Sequence, residues 1–140
     1  MPLRCVDASL VVAWLVPSQR SMSVEDVWLA YAQGEDEYVA PPLLPAETLS
    51  AIRRLTSRGL LSQEEASGLV TDFLSLSIPT LTPAGLYQHA YALATRYHHS
   101  TVYDACYLAL AELLSCELLT LDQRLYNAVK EDFPAVRLVG

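Results

Sequence analysis

The sequence has few charged residues and almost no lysine. Of its 140 residues, 18% are charged and 52% are hydrophobic, and Lys130 is the only lysine among nine basic residues. Disordered chains have the opposite composition, so we expect a folded domain. The 16 acidic residues give a formal net charge of -7. This balance argues against a protein that coats nucleic acid by charge alone, but it is compatible with acids gathered around a metal.

Long hydrophobic runs are also missing, although mean hydropathy is +0.24. The longest run near the N-terminus, 10–16, is far shorter than the roughly 20 residues that a membrane-spanning helix needs. Asp7 precedes the run, and the residues that follow it contain no small-x-small cleavage site. We therefore expect a soluble protein that stays in the cytoplasm.

Cysteine is scarce, and none of the three residues forms a C-x-x-C pair. Cys5, Cys106 and Cys116 all lie in apolar stretches, which favours buried, reduced thiols over zinc or a disulfide. No G-x-x-x-x-G-K-S/T stretch exists, which excludes a P-loop. Repeats and long linkers are missing too, so residues 1–140 are predicted to form one domain.

Short apolar runs alternate with segments of helical period, and this pattern predicts an α/β fold. Strands are predicted over 3–6, 37–40, 77–81, 117–121 and 135–139. Helices are predicted over 8–16, 23–32, 45–58, 63–76, 82–98, 101–115 (or from 100) and 122–130. Such an order indicates a parallel sheet of four to five strands between two helical layers, with ligands bound at the carboxyl ends of the strands.

Four acids lie at the starts of predicted helices. Asp7 and Asp122 directly follow strands, whereas Glu47 and Asp104 lie in the first turns of helices. Each has a purely structural explanation, because Asp is a favoured N-cap and acids suit the positive end of a helix. Together, in apolar surroundings, they would repel one another unless a cation were bound. Hard oxygen ligands of this kind suit Mg²⁺ or Mn²⁺.

The motifs around these acids resemble those of PIN domains and, more narrowly, the toxin ribonucleases of VapBC-type toxin–antitoxin pairs. The segments that carry the resemblance are 6–9 (VDAS), 45–47 (PAE), 103–111 (YDACYLALA) and 119–125 (LTLDQRL). Their order and spacing match over essentially the whole chain. The resemblance implies a three-layer α/β/α domain in which Asp7, Glu47, Asp104 and Asp122 are catalytic residues and metal ligands.

Two further positions match the family pattern, and one departs from it. The resemblance implies that Ser9 orients Asp7 or a metal-bound water, and it gives Thr120 a supporting role. Many family members carry another acid shortly after the fourth, where this chain has Gln123 and Arg124.

The activity implied is Mg²⁺-dependent endoribonucleolytic cleavage, with Mn²⁺ as the alternative ion. The partners implied are an RNA substrate, a cognate antitoxin lying over the acidic site and a second copy of the chain. Arg53, Arg54, Arg58 and Arg124 are candidates for RNA contacts, although a solvated helix end explains the first three equally well.

Other conspicuous side chains have structural interpretations. Glu112 is expected to face solvent, and His98 and His99 are expected to form a surface pair at a helix end. Five tyrosines on two consecutive helices predict core or dimer packing, with base stacking as the alternative: Tyr87, Tyr91, Tyr97, Tyr103 and Tyr107.

Two other functions remain open on the sequence. A phosphoryl-transfer or receiver domain shares the alternating pattern, but Ser9 stands where a haloacid-dehalogenase-type site needs a second Asp, and no lysine ends a strand. A catalytically inactive interaction module is the other alternative, and the presence of all four acids argues against it.

Overall fold

A four-stranded parallel sheet forms the centre of the computed structural model, which describes residues 2–140. The strands are β1 (Leu3–Val6), β2 (Glu37–Val39), β3 (Glu117–Thr120) and β4 (Val136–Leu138). The helices are α1 (Ala8–Leu15), α2 (Met22–Ala32), α3 (Leu44–Ser57), α4 (Gln63–Leu76), α5 (Leu86–Arg96), α6 (Tyr103–Leu113) and α7 (Gln123–Val129), and a short 3₁₀ turn spans Pro17–Gln19.

The strands lie in the order β2-β1-β3-β4, and every neighbouring pair is parallel. Helices connect each strand to the next one along the chain, because parallel strands need a long crossover connection. The predicted α/β class and its central parallel sheet are therefore confirmed.

Part of the hydrophobic core lies between the sheet and α6. Cys5 and Leu118, on the paired strands β1 and β3, have no exposed surface. Seven consecutive residues of α6, from 105 to 111, are also buried. A helix that is apolar all round is typical of a protein interior, and the small alanines of α6 let the strands and α5 approach it closely. This rigid centre holds the N-terminal end of α6, where Asp104 lies.

The strand predicted over 77–81 is wrong. This segment makes a single parallel bridge, between Ala40 and Thr80, at the edge of the sheet. Ser77 ends α4 in a left-handed conformation with φ 50°, and Pro79 has no N–H to donate to a ladder. The sheet therefore has four strands within the described residues.

The predicted starts of α5 and α6 are too early. Gly85, at φ 83°, precedes α5, which begins at Leu86 rather than at residue 82. Helix α6 begins at Tyr103, and its N-cap residue Val102 makes no side-chain cap. Asp104 makes no side-chain cap to α6, so capping does not explain this acid.

The register of β1 and β3 places two acids side by side at the carboxyl edge of the sheet. Val6 pairs with Leu119, so Asp7 lies opposite Thr120, and Asp122 follows two residues later. Among residues 2–140, no helix is both long and apolar enough to cross a bilayer.

Candidate active site

A cavity of about 480 Å³ opens at the carboxyl edge of the sheet, between α1 and α3. Its lining includes the four predicted site acids, Asp7, Glu47, Asp104 and Asp122. Strand ends supply the first and last of these, and the first turns of α3 and α6 supply the others. The structure thus brings four carboxylates from distant parts of the chain to one cavity.

Asp7 is the most buried of the four, with 7% of its surface exposed. One carboxylate oxygen, Oδ1, accepts hydrogen bonds from Ser9 Oγ at 2.6 Å and from the Leu10 amide at 3.2 Å. The other oxygen, Oδ2, accepts from the Thr120 hydroxyl. Asp7 is therefore both the N-cap of α1 and the centre of a network that joins β1 to β3.

The two hydroxyl groups are themselves oriented by the backbone after β3. Ser9 Oγ accepts from the Leu121 amide and Thr120 Oγ1 accepts from the Asp122 amide, both at 3.0 Å. Each hydroxyl therefore has its proton free to donate to Asp7. Ser9 therefore contacts Asp7 directly.

The pKa of Asp7 is raised to about 6. Burial is the main cause, the hydrogen bonds from Ser9, Thr120 and Leu10 oppose it, and the nearby Asp122 raises it further. At neutral pH the group is mostly ionised, and this raises the free energy of the folded state because a buried charge without a counter-ion is unfavourable.

Glu47 is held by a residue that the sequence motifs did not assign to the site. Tyr107 is 2% exposed, and its hydroxyl donates to Glu47 Oε1 at 2.6 Å. Burial raises the pKa of Glu47, the Tyr107 hydrogen bond lowers it, Asp104 raises it and Arg54 lowers it. Tyr107 lies three residues after Asp104 and therefore on the same face of α6. This spacing could have identified Tyr107 as a residue of the site.

Asp104 and Asp122 are the other two acids that line the cavity. Burial raises the pKa of Asp104, Asp122 raises it further, and His99 and Arg124 oppose the shift. Asp122 Oδ1 accepts from the Leu125 amide at 3.1 Å and caps α7. The carboxylates therefore interact in a chain, which a cation would stabilise.

The donor set fits a hard divalent cation. All four groups offer carboxylate oxygen, and burial and a neighbouring acid raise the pKa values of Asp7, Glu47 and Asp104. No group of three His, Cys, Asp or Glu side chains within residues 2–140 is arranged to hold one ion. Mg²⁺, however, is usually bound through one or two carboxylates and keeps several waters, so two of these acids with water suffice.

Only two of the four predicted basic residues line the acidic cavity. Arg54 and Arg58 line the acidic cavity, together with Gln19 of the 3₁₀ turn, which the sequence analysis did not single out. Arg53 lines a separate groove of about 270 Å³ between α3 and α4. Arg124 is near enough to Asp104 to lower its pKa but does not line the cavity.

Several other side chains lie away from the acids. Glu112 is exposed and hydrogen-bonds His89 Nε2 at 2.7 Å, as expected for a solvent-facing residue. Gln123 donates to Asn127 at 3.0 Å on α7, so it adds no ligand to the site. The three cysteines are free thiols, and Cys5 and Cys106 are buried.

Core packing, one of the interpretations of the five tyrosines, applies to only some of them, and the dimer and base-stacking alternatives stay predictions. Tyr107 is buried, but Tyr87, Tyr91 and Tyr103 are 56%, 69% and 58% exposed. Helix α5 turns its alanine and leucine face to α6, which leaves its tyrosines outside. Tyr103 is exposed because it is the first residue of α6, ahead of the buried stretch.

The parallel sheet and the cavity at its carboxyl edge define an α/β domain with four carboxylates gathered at one site. Residues 4–131 match the PIN domain family. Ribonuclease VapC3 of Pyrobaculum aerophilum is 36% identical over 135 residues, which cover 94% of this chain and 95% of the relative. Ribonuclease VapC9 of Mycobacterium tuberculosis is 30% identical over 67% of this chain and 72% of its own length. The chain therefore belongs to the PIN-domain family and, within it, to the VapC ribonucleases.

A solved structure shows the same fold. The crystal structure of PAE2754 from Pyrobaculum aerophilum matches with a TM-score of 0.67 at 23% identity, covering 92% of this chain and 86% of that one. The family resemblance and the fold predicted from the four motifs are thus confirmed.

Proposed function

We propose that this chain is a Mg²⁺-dependent endoribonuclease, with Mn²⁺ as an alternative ion, and that it acts as the toxin of a type II toxin–antitoxin pair. The observation that carries the proposal is the meeting of Asp7, Glu47, Asp104 and Asp122 in one cavity of a VapC-family ribonuclease. Two or more of these acids would hold the cation, with water as the remaining ligands. When bound, the ion would polarise the scissile phosphate and lower the pKa of a water molecule.

The chain's own groups then have separate tasks. Asp7 is locked by Ser9 and Thr120, so its orientation is fixed before any ligand enters. Glu47 has Oε1 occupied by the Tyr107 hydroxyl. Its other oxygen, Oε2, is the group that accepts a proton from the attacking water. A carboxyl with a raised pKa suits this role, because a base works best when its pKa is close to the working pH.

Arg54 and Arg58 supply the positive charge that this acidic chain otherwise lacks at the site. They lie seven and eleven residues after Glu47 and line the same cavity. Guanidinium groups bind phosphate through paired hydrogen bonds. We propose that they guide the RNA backbone to the acids, with Arg124 contributing at the rim and Arg53 only further along the strand.

The biological setting is part of the same proposal. The VapC relatives support a protein antitoxin as partner, and we extend this to a homodimer in the cytoplasm in which residues 1–140 form a single PIN domain. Expression of the chain alone is expected to arrest growth. Co-expression of a small DNA-binding protein encoded next to it is expected to relieve the arrest, and a toxic effect that no such neighbour relieves would contradict the pairing.

RNA cleavage by the purified protein tests the enzymatic proposal. We expect cleavage with Mg²⁺ or Mn²⁺, no cleavage with EDTA, and at least a 100-fold loss in Asp7→Asn and Asp104→Asn. The matched control is Asp72→Asn, because Asp72 is an exposed acid on α4 outside the cavity. Cleavage that persists without metal and in both site variants would overturn the mechanism.

A further inference from the structure

A second cavity adjoins the acidic one on the opposite side of Glu47. It measures about 350 Å³ and is lined by Leu43, Ala46, Glu47, Ser50, Arg54 and Tyr103. Glu47 and Arg54 line both cavities. Whatever occupies the second cavity therefore lies next to the four carboxylates.

The periodicity of α3 explains this arrangement. At 3.6 residues per turn, Glu47 and Arg54 are seven positions apart and fall on one line along the helix. Residues 46 and 50 lie on one side of that line, whereas residues 51 and 55 lie on the other side and line the acidic cavity. The ridge formed by Glu47 and Arg54 thus separates two adjacent binding spaces on one helix.

Tyr103 is the aromatic residue in the lining of the second cavity. It is 58% exposed, although it directly precedes Asp104 and the fully buried stretch of α6. An exposed aromatic ring contributes little to folding, whereas proteins use such rings to stack unpaired bases. The rest of the lining is an apolar floor of Leu43 and Ala46 with the Ser50 hydroxyl as a polar group.

We propose that the Tyr103 cavity is a nucleobase subsite, in which the base of a nucleotide next to the scissile phosphate stacks on the tyrosine ring. This inference rests on the proposed function. Arg54, on the ridge, holds the phosphate that links this nucleotide to the one over the acids. Leu43 and Ala46 contact the flat face of the base, and Ser50 hydrogen-bonds its edge.

A nucleobase subsite of this kind requires a single-stranded RNA substrate. A base can stack on Tyr103 only after it has left its own helix, and unstacked bases occur in loops, bulges and ends. The enzyme is therefore expected to cleave a single-stranded octamer and to leave the same sequence intact when it is paired with its complement.

Steady-state cleavage of single-stranded octaribonucleotides, one homopolymer for each base, tests the subsite. Stacking on an aromatic side chain contributes roughly 1–3 kcal/mol per base, so Tyr103→Ala is expected to raise KM about 5- to 100-fold with kcat within threefold of wild type. Tyr103→Phe keeps the ring and is expected to stay within twofold of wild type. The control is Tyr91→Ala, which removes a more exposed tyrosine that lines neither cavity.

An octamer that lacks its bases separates stacking from backbone binding. Wild type is expected to bind the intact octamer more tightly than the abasic one, and Tyr103→Ala is expected to bind both equally, by fluorescence anisotropy with Ca²⁺ in place of Mg²⁺. Circular dichroism melting of each variant checks that the fold is retained.

The outcomes distinguish this inference from the function on which it rests. A wild type that cleaves RNA, with a Tyr103→Ala variant indistinguishable from it, would overturn the subsite and leave the nuclease proposal standing. Loss of kcat alone in both Tyr103 variants would show that the residue acts through Asp104, and this also overturns the subsite. A wild type that neither cleaves nor binds any octamer would overturn both.

Discussion

At the scale of single residues, Asp7 shows how the site balances burial against hydrogen bonding. Burial alone would favour the protonated acid, whereas the Ser9 and Thr120 hydroxyls stabilise the carboxylate. The result is a pKa of about 6, just below neutral pH. Removal of either hydroxyl is therefore expected to change the pH at which Asp7 becomes available to a cation.

Thr120→Val tests this balance. Loss of the hydrogen bond raises the pKa of Asp7, so a larger fraction is protonated at pH 7 and the metal-bound form is disfavoured. We expect kcat/KM to fall about 10-fold at pH 7 and to recover towards pH 8.5, measured as a pH profile with saturating Mg²⁺. Thr48→Val is the matched control, since Thr48 is fully buried but its hydroxyl has no partner within the described residues. Equal losses at every pH would contradict this reasoning.

Tyr107→Phe makes the corresponding change at Glu47. The hydroxyl that lowers the pKa of Glu47 is lost while the buried ring remains. The pKa of Glu47 is expected to rise further, so the acidic limb of the kcat profile should move to higher pH while the free energy of unfolding changes by about 1–2 kcal/mol. An unchanged acidic limb would show that Glu47 does not act as the proton acceptor.

The sequence was sufficient to find the four acids but not the aromatic residues beside them. Asp7 and Asp122 were found because they directly follow strands, and the carboxyl ends of parallel strands share one edge. Tyr103 and Tyr107 belong to one helix, yet one is exposed and the other buried. That difference depends on how α6 is inserted between the sheet and α5, which is set by tertiary packing rather than by local pattern.

At the scale of secondary structure, α1 and α7 each begin at an acid that also faces the cavity. Asp7 and Asp122 accept hydrogen bonds from the third residue of the helices they precede. The structural and functional interpretations of these residues are therefore compatible, because one carboxylate oxygen serves the helix while the group still faces the cavity.

Substitutions at Asp122 separate the two roles. Asn is as good an N-cap as Asp, whereas Ala costs about 1 kcal/mol of stability. We expect Asp122→Asn to melt like wild type and Asp122→Ala to melt several degrees lower, with cleavage lost in both. Ser62→Ala, which removes the capping box of α4, is expected to lower stability equally and leave cleavage unchanged. Full activity in Asp122→Asn would show that Asp122 is only a cap.

Element boundaries were predicted well where a local signal sets them and poorly where it does not. Strand β1 has its predicted bounds. Helix α4 also starts after its N-cap residue Ser62 and ends at Leu76, as predicted. The segment 77–81 has strand-like composition, but it lies at the sheet edge with a proline in it and makes one bridge. Edge position is a property of the whole sheet, so the local sequence could not reveal it.

At the scale of the whole molecule, the net charge of -7 hides a local arrangement. Part of the acidic excess lies in one cavity, where Arg54 and Arg58 also lie. Binding depends on such local potentials more than on total charge. The acidic composition is thus compatible with an RNA substrate when a cation is present, and binding is expected to weaken by at least 10-fold in EDTA.

The free energy of unfolding of the metal-free protein should depend on pH, because the buried carboxylates of the cavity destabilise the fold when they are ionised. A carboxyl whose pKa is raised in the folded state destabilises the fold above that pKa, and the cost is relieved as the pH falls towards the unfolded value. For Asp7 this window runs from about 6 down to 3.8, and Glu47 and Asp104 shift in the same direction. In EDTA we expect the free energy of unfolding to be about 1 kcal/mol larger at pH 5 than at pH 7 from Asp7 alone.

A bound cation should also stabilise the folded protein, because it compensates the charge of the ionised carboxylates. Mg²⁺ or Mn²⁺ binds the ionised carboxylates of the folded state only, so added ion is expected to raise Tm by several degrees at pH 7.5. At pH 5 the shift should be much smaller, because protons compete for the same oxygens. In Asp7→Asn both effects should shrink, whereas in Asp72→Asn they should equal those of wild type. If scanning calorimetry shows a wild type that is unaffected by the cation and less stable at pH 5, the four carboxylates do not form a metal site.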